Sequence, residues 1–350
     1  MTDIEERRQL KTENGSWLSD SNLMPLISFV IPIYNEVEHI KSCLDTILAQ
    51  NYPQDRIEIH VIDGESNDGS VAVVEDHFIA AESPVFLHNN PERRTPLSLN
   101  IGIQAAEGDI VVILGAHTEI ESDFVKLNVA NLRRNGVWCS GGTQINVGKT
   151  IQQASVGSAM SHWFGIPSAP YRYRKRAGFV NTVVYGAYRK EVFDKVGVFE
   201  EKGLMSEDSE FNFRLVQAGY KIYYDPRIRT RYYPRRTINK LAKQMFNYGI
   251  LRAQVLRKHR RGLKWLHFVP PLAVVLFLVL AIMSLVVRSS ASVLTTLVLL
   301  YLVMAIVSAV DACIRQGKGN PVLVFIAFIV MHIAWALGFW SGILRSRKQF

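Results

Sequence analysis

Three long apolar segments near the C-terminus decide what this 350-residue chain can fold into. Residues 268–287 read FVPPLAVVLFLVLAIMSLVV, residues 291–310 read ASVLTTLVLLYLVMAIVSAV, and residues 321–344 read PVLVFIAFIVMHIAWALGFWSGIL. Each approaches the ~20 residues that cross a bilayer core and carries almost no charge, so the chain is expected to divide between water and lipid. Three spans is the simple count. Pro270 and Pro271 leave open a re-entrant first segment, which would return the basic tail RSRKQF to the side on which the chain entered. Asp311 and His332, in or beside these segments, read as interfacial or packed polar residues.

Charge sets the orientation. No acidic residue stands between Asp225 and Asp311, while residues 226–264 carry 13 Lys and Arg. Such a run in a soluble protein is a solvated face or a nucleic-acid patch. Directly before apolar spans it faces anionic lipid instead, and the positive-inside tendency puts the N-terminal domain in the cytoplasm. No nucleic-acid partner is expected. Within this run, Ile238, Leu241, Met245, Tyr248, Val255 and Leu256 share one helical face, and Lys240, Lys243, Lys258 and Arg261 the other. An amphipathic helix in the membrane interface is expected over 236–264. Arg252 projects from its apolar side and either snorkels or holds a phosphate.

Cys43, Cys139 and Cys313 are far apart and odd in number, which excludes a disulfide framework or a zinc site and fits a reducing compartment. Residues 1–24 are polar, have no signal-peptide core, and read as a flexible tail with a short helix around IEERRQLK. From LISFVIPIYN onward, strand and helix signals alternate through IEIHVID, SVAVVEDHFIAA, VFLHN, TPLSLNIGIQAAEG and DIVVILG. The alternation predicts an α/β domain over 25–235 with a mostly parallel, Rossmann-like sheet, whose ligands bind beyond the carboxyl ends of the strands. Three polar clusters stand there: PIYNE (32–36), DGESNDGS (63–70) and GAHTE (115–119). TQINVGKT (143–150) lacks the first glycine of a phosphate loop and is a decoy.

These motifs, with GAYRKEVFDKVGVFEE (186–201) and SEDSEFNFRLVQAGYKIYYDP (206–226), resemble family 2 glycosyltransferases, the inverting enzymes of GT-A fold that use nucleotide-diphosphate sugars. The DG-x-S-x-DGS form, MSEDSEFNFRL and FNYGILR ahead of apolar spans are most similar to the bacterial succinoglycan or exopolysaccharide type. The resemblance implies a UDP-hexose donor, a polyprenyl-diphosphate-linked saccharide as acceptor, and a multi-pass inner-membrane location among other polysaccharide-assembly enzymes. It assigns Pro32, Tyr34 and Glu36 to the uridine-contacting turn, Asp63 to the base and Asp68 to the following turn. It makes Asp208 the catalytic base beside Glu207, and puts Arg93 and Arg94 near the nucleotide. Glu207 and Glu210 crowd Asp208 with like charge, which raises a carboxyl pKa.

At the third cluster, members of this family usually carry Asp-x-Asp to hold the ribose and a metal. Here Gly115, Ala116 and His117 occupy those positions. Three readings stay open: His117 still holds Mn or Mg with the donor phosphates, Arg252 and nearby bases replace the metal, or the domain is a silent membrane scaffold. A polyprenyl-phosphate sugar synthase is the competing enzyme. Trp163, Tyr171 and Tyr173 either stack on acceptor sugars or pack on the membrane helices.

Overall fold

The computed structural model describes residues 17–20, 22–80, 83–134, 136–201, 207–258 and 265–344. The expected helix around IEERRQLK, Arg261 and the RSRKQF tail lie outside them. In chain order the elements are β1 (Ile27–Ile33), α1 (Ile40–Leu48), β2 (Ile57–Asp63), α2 (Ser70–Ala80), β3 (Val85–Asn89), α3 (Thr95–Ala105) and β4 (Ile110–Ile113). There follow β5 (Thr118–Ile120), α4 (Phe124–Leu132), β6 (Val137–Asn146), α5 (Ile151–Met160), β7 (Gly178–Val180), β8 (Ala187–Arg189), α6 (Glu191–Val196), α7 (Glu207–Gln217) and β9 (Lys221–Tyr232). The chain ends in α8 (Ile238–Lys258), α9 (Val269–Met283), α10 (Arg288–Gln316) and α11 (Pro321–Leu344).

The chain forms two compact units. The first comprises Met1–Gly142, Arg176–Glu201 and Asp208–Thr230. Its strands belong to a sheet of order β3-β2-β1-β4-β8-β6-β9-β5, with β7 beside β9. The β1–β2, β1–β4 and β2–β3 pairs are parallel, whereas β8 runs antiparallel to both β4 and β6, and β7 antiparallel to β9. The sheet is therefore mixed: the expected parallel order holds through β3, β2, β1 and β4, and antiparallel strands continue it. The antiparallel pairs all lie on the far side of β4 from β1.

Local patterns explain the elements. Ile40, Cys43, Leu44 and Ile47 form the buried face of α1 at helical spacing. Helix α3 opens on Thr95-Pro96, where the missing proline N–H is not needed. Its Gly102 lets the helix touch β1, since a Cβ there would come within 2.4 Å of Val30. Every residue of β2 is buried, including Glu58. That carboxylate accepts hydrogen bonds from the Ser28 hydroxyl (2.6 Å) and from the backbone N–H of Glu107 (2.6 Å) and Gly108 (3.2 Å), and it pairs with His60 (3.2 Å). Burial alone would raise its pKa, but the bonds from His60, Ser28 and Glu107 prevail and hold it at about 2. Trp17 packs on the core, and Arg133 donates to the carbonyls of Trp17 and Leu23. The chain is thus held from Trp17 onward, inside the stretch expected to be loose.

The second unit comprises Thr143–Lys175, Lys202–Glu207 and Arg231–Phe350. Residues 143–175, expected with the sheet, belong here because Val156, Ala159 and Met160 of α5 pack with Leu241 and Met245 of α8 and with Val324, Phe328 and Met331 of α11. Helices α10 and α11 are long and apolar enough to cross a membrane. Outward residues such as Val303 (57 % exposed) and Val307 (63 %) show that α10 is no soluble core helix. The first expected span is different: α9 has 15 residues, about 22 Å at ~1.5 Å per residue, less than a bilayer core. Helix α8, expected in the membrane interface, has a protein neighbour. It runs against α11 with backbones almost touching, since a Cβ on Gly338 would stand 1.9 Å from the Phe246 carbonyl oxygen and one on Gly249 2.2 Å from that of Trp335. Small residues at 249, 338 and 342 give α8 a protein neighbour in place of lipid. His332 is a packed polar residue, 2.9 Å from both the Tyr301 hydroxyl and the Phe164 carbonyl. Asp311 pairs with His162 and Arg315.

Candidate active site

The strand register sets the site. In the parallel pair β1–β2, Ile33 stands beside Asp63, and β4 runs parallel to β1 on its other side. The loops after β1, β2 and β4 therefore leave one sheet edge, the edge where ligands of such sheets bind. The first two loops are laced together. Asn35 N–H donates to the Ser66 hydroxyl and Asn67 N–H to the Asn35 side chain (both 2.9 Å), while Glu36 N–H donates to the Ser70 hydroxyl (2.8 Å). Val37 N–H donates to Asp68 (3.1 Å), whose other oxygen takes the Ser70 N–H and hydroxyl. Slight burial works against ionisation of Asp68, but the bonds from Ser70 and Val37 outweigh it and hold its carboxyl below the usual range. Asp68 is thus a clamp between two loops. Asp63, 8 % exposed, accepts from Ser66 N–H with both oxygens. A carboxylate has further lone pairs to offer a ligand.

Tyr34 stands 48 % exposed at the tip of the first loop. The Arg93 guanidinium lies 5.3 Å from its ring centre and 2.7 Å from the Glu65 carboxylate. Arg94, also expected near the nucleotide, instead lies 3.6 Å from Glu92 just ahead of α3. Asn35, Glu65, Arg93 and Tyr185 are the described non-glycine residues with positive φ (51–57°). The first three belong to the loops after β1, β2 and β3. Strained backbone concentrated at one edge marks a geometry that the surrounding fold enforces.

Beyond β4, His117 Nδ1 lies 3.2 Å from Glu36 Oε1. Cys43 supports this pair from beneath, its thiol directed to the Gly115 carbonyl at 3.8 Å. Burial, reinforced by Glu36 and Glu119, pushes that thiol far up, so it is inert. Among the described residues no group of three His, Cys, Asp or Glu is placed to hold a metal. An imidazole and a carboxylate meeting at one point nevertheless fit a divalent ion that takes its other ligands from phosphate and water. Gly115 is not demanded by the backbone: a Cβ there would meet Thr118, Tyr185 and His117 at 3.5–3.8 Å, an ordinary contact distance.

Asp208 lies in the first turn of α7. That helix is pinned by Asn212, which is fully buried and one turn further on. Asn212 donates to the Thr182 hydroxyl (3.1 Å) and the Val183 carbonyl (3.2 Å) and accepts from the Tyr188 hydroxyl (3.1 Å). Asp208 lies close enough to Tyr188 and Cys139 to act electrostatically on both, although burial is the main reason their pKa values stand high. The segment after Val183 passes Tyr185 beside Gly115, so the Asn212 anchor ties α7 to the same edge. Glu210 does not crowd Asp208 with free charge: Arg214 grips both its oxygens (2.8 and 3.0 Å). Glu207 opens the helix half-buried.

The fold thus gathers Pro32, Tyr34, Glu36, Asp63, Asp68, Gly115 and His117, and anchors Asp208 toward them through Asn212. Arg252 belongs to the second unit. Sequence reasoning missed Tyr185 and Asn212, which carry no motif signal of their own, and it ranked Arg93 no higher than Arg94.

Residues 28–197 match the family model described as Glycosyl transferase family 2. Over 345 residues, 93 % of this chain and 100 % of the relative, the sequence is 27 % identical to the dolichyl N-acetyl-alpha-D-glucosaminyl phosphate 3-beta-D-2,3-diacetamido-2,3-dideoxy-beta-D-glucuronosyltransferase of Methanococcus voltae. It is also 27 % identical to the succinoglycan biosynthesis protein ExoA of Rhizobium meliloti, covering 91 % of this chain and 96 % of that one. The solved structure of the mannosyltransferase PcManGT from Pyrobaculum calidifontis, in complex with GDP-Man and Mn2+, superposes with a TM-score of 0.68 at 19 % identity, covering 97 % of this chain and 93 % of that chain.

Proposed function

Residues 28–197 are a glycosyltransferase family 2 domain, and from that premise we propose that this glycosyltransferase is membrane-anchored and inverting, and moves a hexose from UDP to a polyprenyl-diphosphate-linked saccharide. The observation that carries this reading is the laced, strained sheet edge that presents Tyr34, Asp63 and His117 together. Tyr34 offers a ring for the nucleobase and Asp63 a carboxylate for its N–H, while Pro32 and Asp68 hold the loops in place. Asp208, next to Glu207, accepts the proton of the acceptor hydroxyl as its oxygen attacks the anomeric carbon. The bond to the diphosphate breaks on the opposite face, which inverts the centre. A divalent ion held by His117 and Glu36, when bound, offsets the charge growing on the departing diphosphate.

The lipid-linked acceptor is supported by two relatives matched over nearly their whole length, one named for a dolichyl phosphate-linked sugar and one for succinoglycan biosynthesis. The Methanococcus relative favours a second reading, in which the acceptor lipid carries one phosphate. We place α10 and α11 across the inner membrane and the catalytic domain on its cytoplasmic side, the side favoured by the basic run 226–264.

Purified, detergent-solubilised protein, given a panel of UDP- and GDP-sugars with a bacterial lipid extract, tests this reading. Release of UDP from one sugar that depends on the lipid extract is the expected result. Release of GDP alone would overturn the donor assignment, and donor binding without turnover in any mixture would make the domain a scaffold.

A further inference from the structure

The segment that follows α5 is fastened to α10 and α11 by a chain of hydrogen bonds with a fixed direction. His162 Nδ1 lies 3.2 Å from the backbone nitrogen of Phe164, and His162 Nε2 lies 2.9 Å from a carboxylate oxygen of Asp311 on α10. The Phe164 carbonyl oxygen lies 2.9 Å from His332 Nε2 on α11, and His332 Nδ1 lies 2.9 Å from the Tyr301 hydroxyl on α10. Arg315 closes the far end by donating to Asp311 at 2.6 Å. All these residues belong to the second unit.

The partners fix where the protons sit. A backbone N–H only donates, so His162 Nδ1 is bare and accepts from Phe164. A ring with a bare Nδ1 is neutral and carries its proton on Nε2, which donates to Asp311. A carbonyl oxygen only accepts, so His332 donates from Nε2 to Phe164, and in the neutral ring Nδ1 accepts from the Tyr301 hydroxyl. His162 is 4 % exposed. The charged groups that act on it are Asp311 and Arg315 of α10, while α11 presents it with the Phe328 ring at 5.8 Å. Burial is the main cause that holds its pKa below the ordinary 6.5, and Arg315 acts the same way, while Asp311 opposes them without prevailing.

We propose that His162 is an acid-operated latch between the end of α5 and the helices α10 and α11. A further proton, taken from water, can enter only at Nδ1, where it faces the Phe164 N–H, donor against donor. The bond to Phe164 is then lost, while the bond to Asp311 persists as an ion pair. Phe164 is freed to leave the rings of Tyr301, Phe328 and His332, which it meets at 5.0–6.0 Å, and to draw its carbonyl away from His332. Opening is local, because bonds that do not titrate keep α5 in place: the Ser158 hydroxyl donates to the Lys318 carbonyl (3.0 Å), and Asn320 N–H donates to the Ser155 hydroxyl (2.9 Å). Since the closed form binds the proton less well than an ordinary histidine, the latch is fully stabilising above about pH 6.5 and weakens as pH falls below it. It acts within the second unit and is independent of the transfer reaction.

Amide hydrogen exchange of the detergent-solubilised full chain, read by mass spectrometry at about pH 7.5 and about pH 5 and corrected for the intrinsic effect of pH on exchange, tests the latch. In wild type, protection of the peptide containing Phe164 should fall by about tenfold or more at the lower pH, with the amides of residues 155–160 unchanged. His162→Asn places a carbonyl oxygen where Nδ1 stands and does not titrate, so its protection should be the same at both pH values. Equal wild-type protection at both pH values would overturn the proposal, as would a fall of the same size in His162→Asn or one shared by residues 155–160. Should His162→Asn not fold, His162→Gln takes its place: it keeps a donor toward Asp311, has no acceptor for Phe164, and should show low protection at both pH values.

Discussion

His117 Nδ1 and Glu36 Oε1 stand 3.2 Å apart, joining loops from β4 and β1. Such a pair would supply two ligands to a divalent ion and leave the rest to phosphate and water. Replacing His117 by Ala should raise the Mn2+ concentration for half-maximal UDP release by about tenfold or more. Gly115→Asp should do the reverse, because a Cβ fits there at 3.5 Å or more from its neighbours. Metal titrations that superimpose for wild type and His117→Ala would show that the pair does not serve a metal.

Asn212 anchors the helix whose first turn carries Asp208. Asn212→Ala removes three buried hydrogen bonds and should cost about 2–3 kcal/mol of stability. Its turnover should fall by a larger factor than its donor KM rises, since the donor loops remain intact. A variant that is less stable but has unchanged turnover per folded molecule would reduce Asn212 to a packing role.

Glu58 makes stability depend on acid. Its folded-state pKa is about 2 against an ordinary 4.5, so its stabilisation is fully present above the ordinary value and is lost as pH falls toward 2. The full contribution is about 3 kcal/mol. Melting temperatures recorded from pH 6 to pH 3 should fall more steeply for wild type than for Glu58→Gln. Parallel curves would contradict the assignment.

The contact of α8 with α11 depends on the absence of side chains. Gly338→Leu must force the helices apart at Phe246 and should cost ~3 kcal/mol or more, visible as lost yield or a lowered melting temperature in detergent. Leu337→Ala, at a position 53 % exposed, should leave both nearly unchanged. Tolerance of Gly338→Leu would refute the close packing.

The sequence exposes the parts of this molecule that follow local rules. Apolar runs mark β1, β2, β4 and the helices α10 and α11, Thr95-Pro96 marks the start of α3, and polar clusters at consecutive strand ends mark the site. Long-range pairings are hidden from it. The short strands β5, β7 and β8 have three residues each and no periodicity to detect, so the mixed character of the sheet was not legible. Helix α8 shows an amphipathic pattern that is the same whether lipid or α11 covers its apolar face, and of the glycines that permit the close approach only Gly249 lies on α8, while Gly338 and Gly342 lie on α11. Asn212 acquires meaning only from partners brought close by folding.

The central claim is that Asp208 is the base of a transfer onto a lipid-linked acceptor. Incorporation of radiolabel from the accepted UDP-sugar into organic-extractable lipid, compared between wild type and Asp208→Asn, tests it most directly. The expected result is labelled lipid from wild type and a rate reduced by about 10²–10⁴-fold in the variant, with UDP binding retained. Labelling by Asp208→Asn at the wild-type rate would contradict the claim.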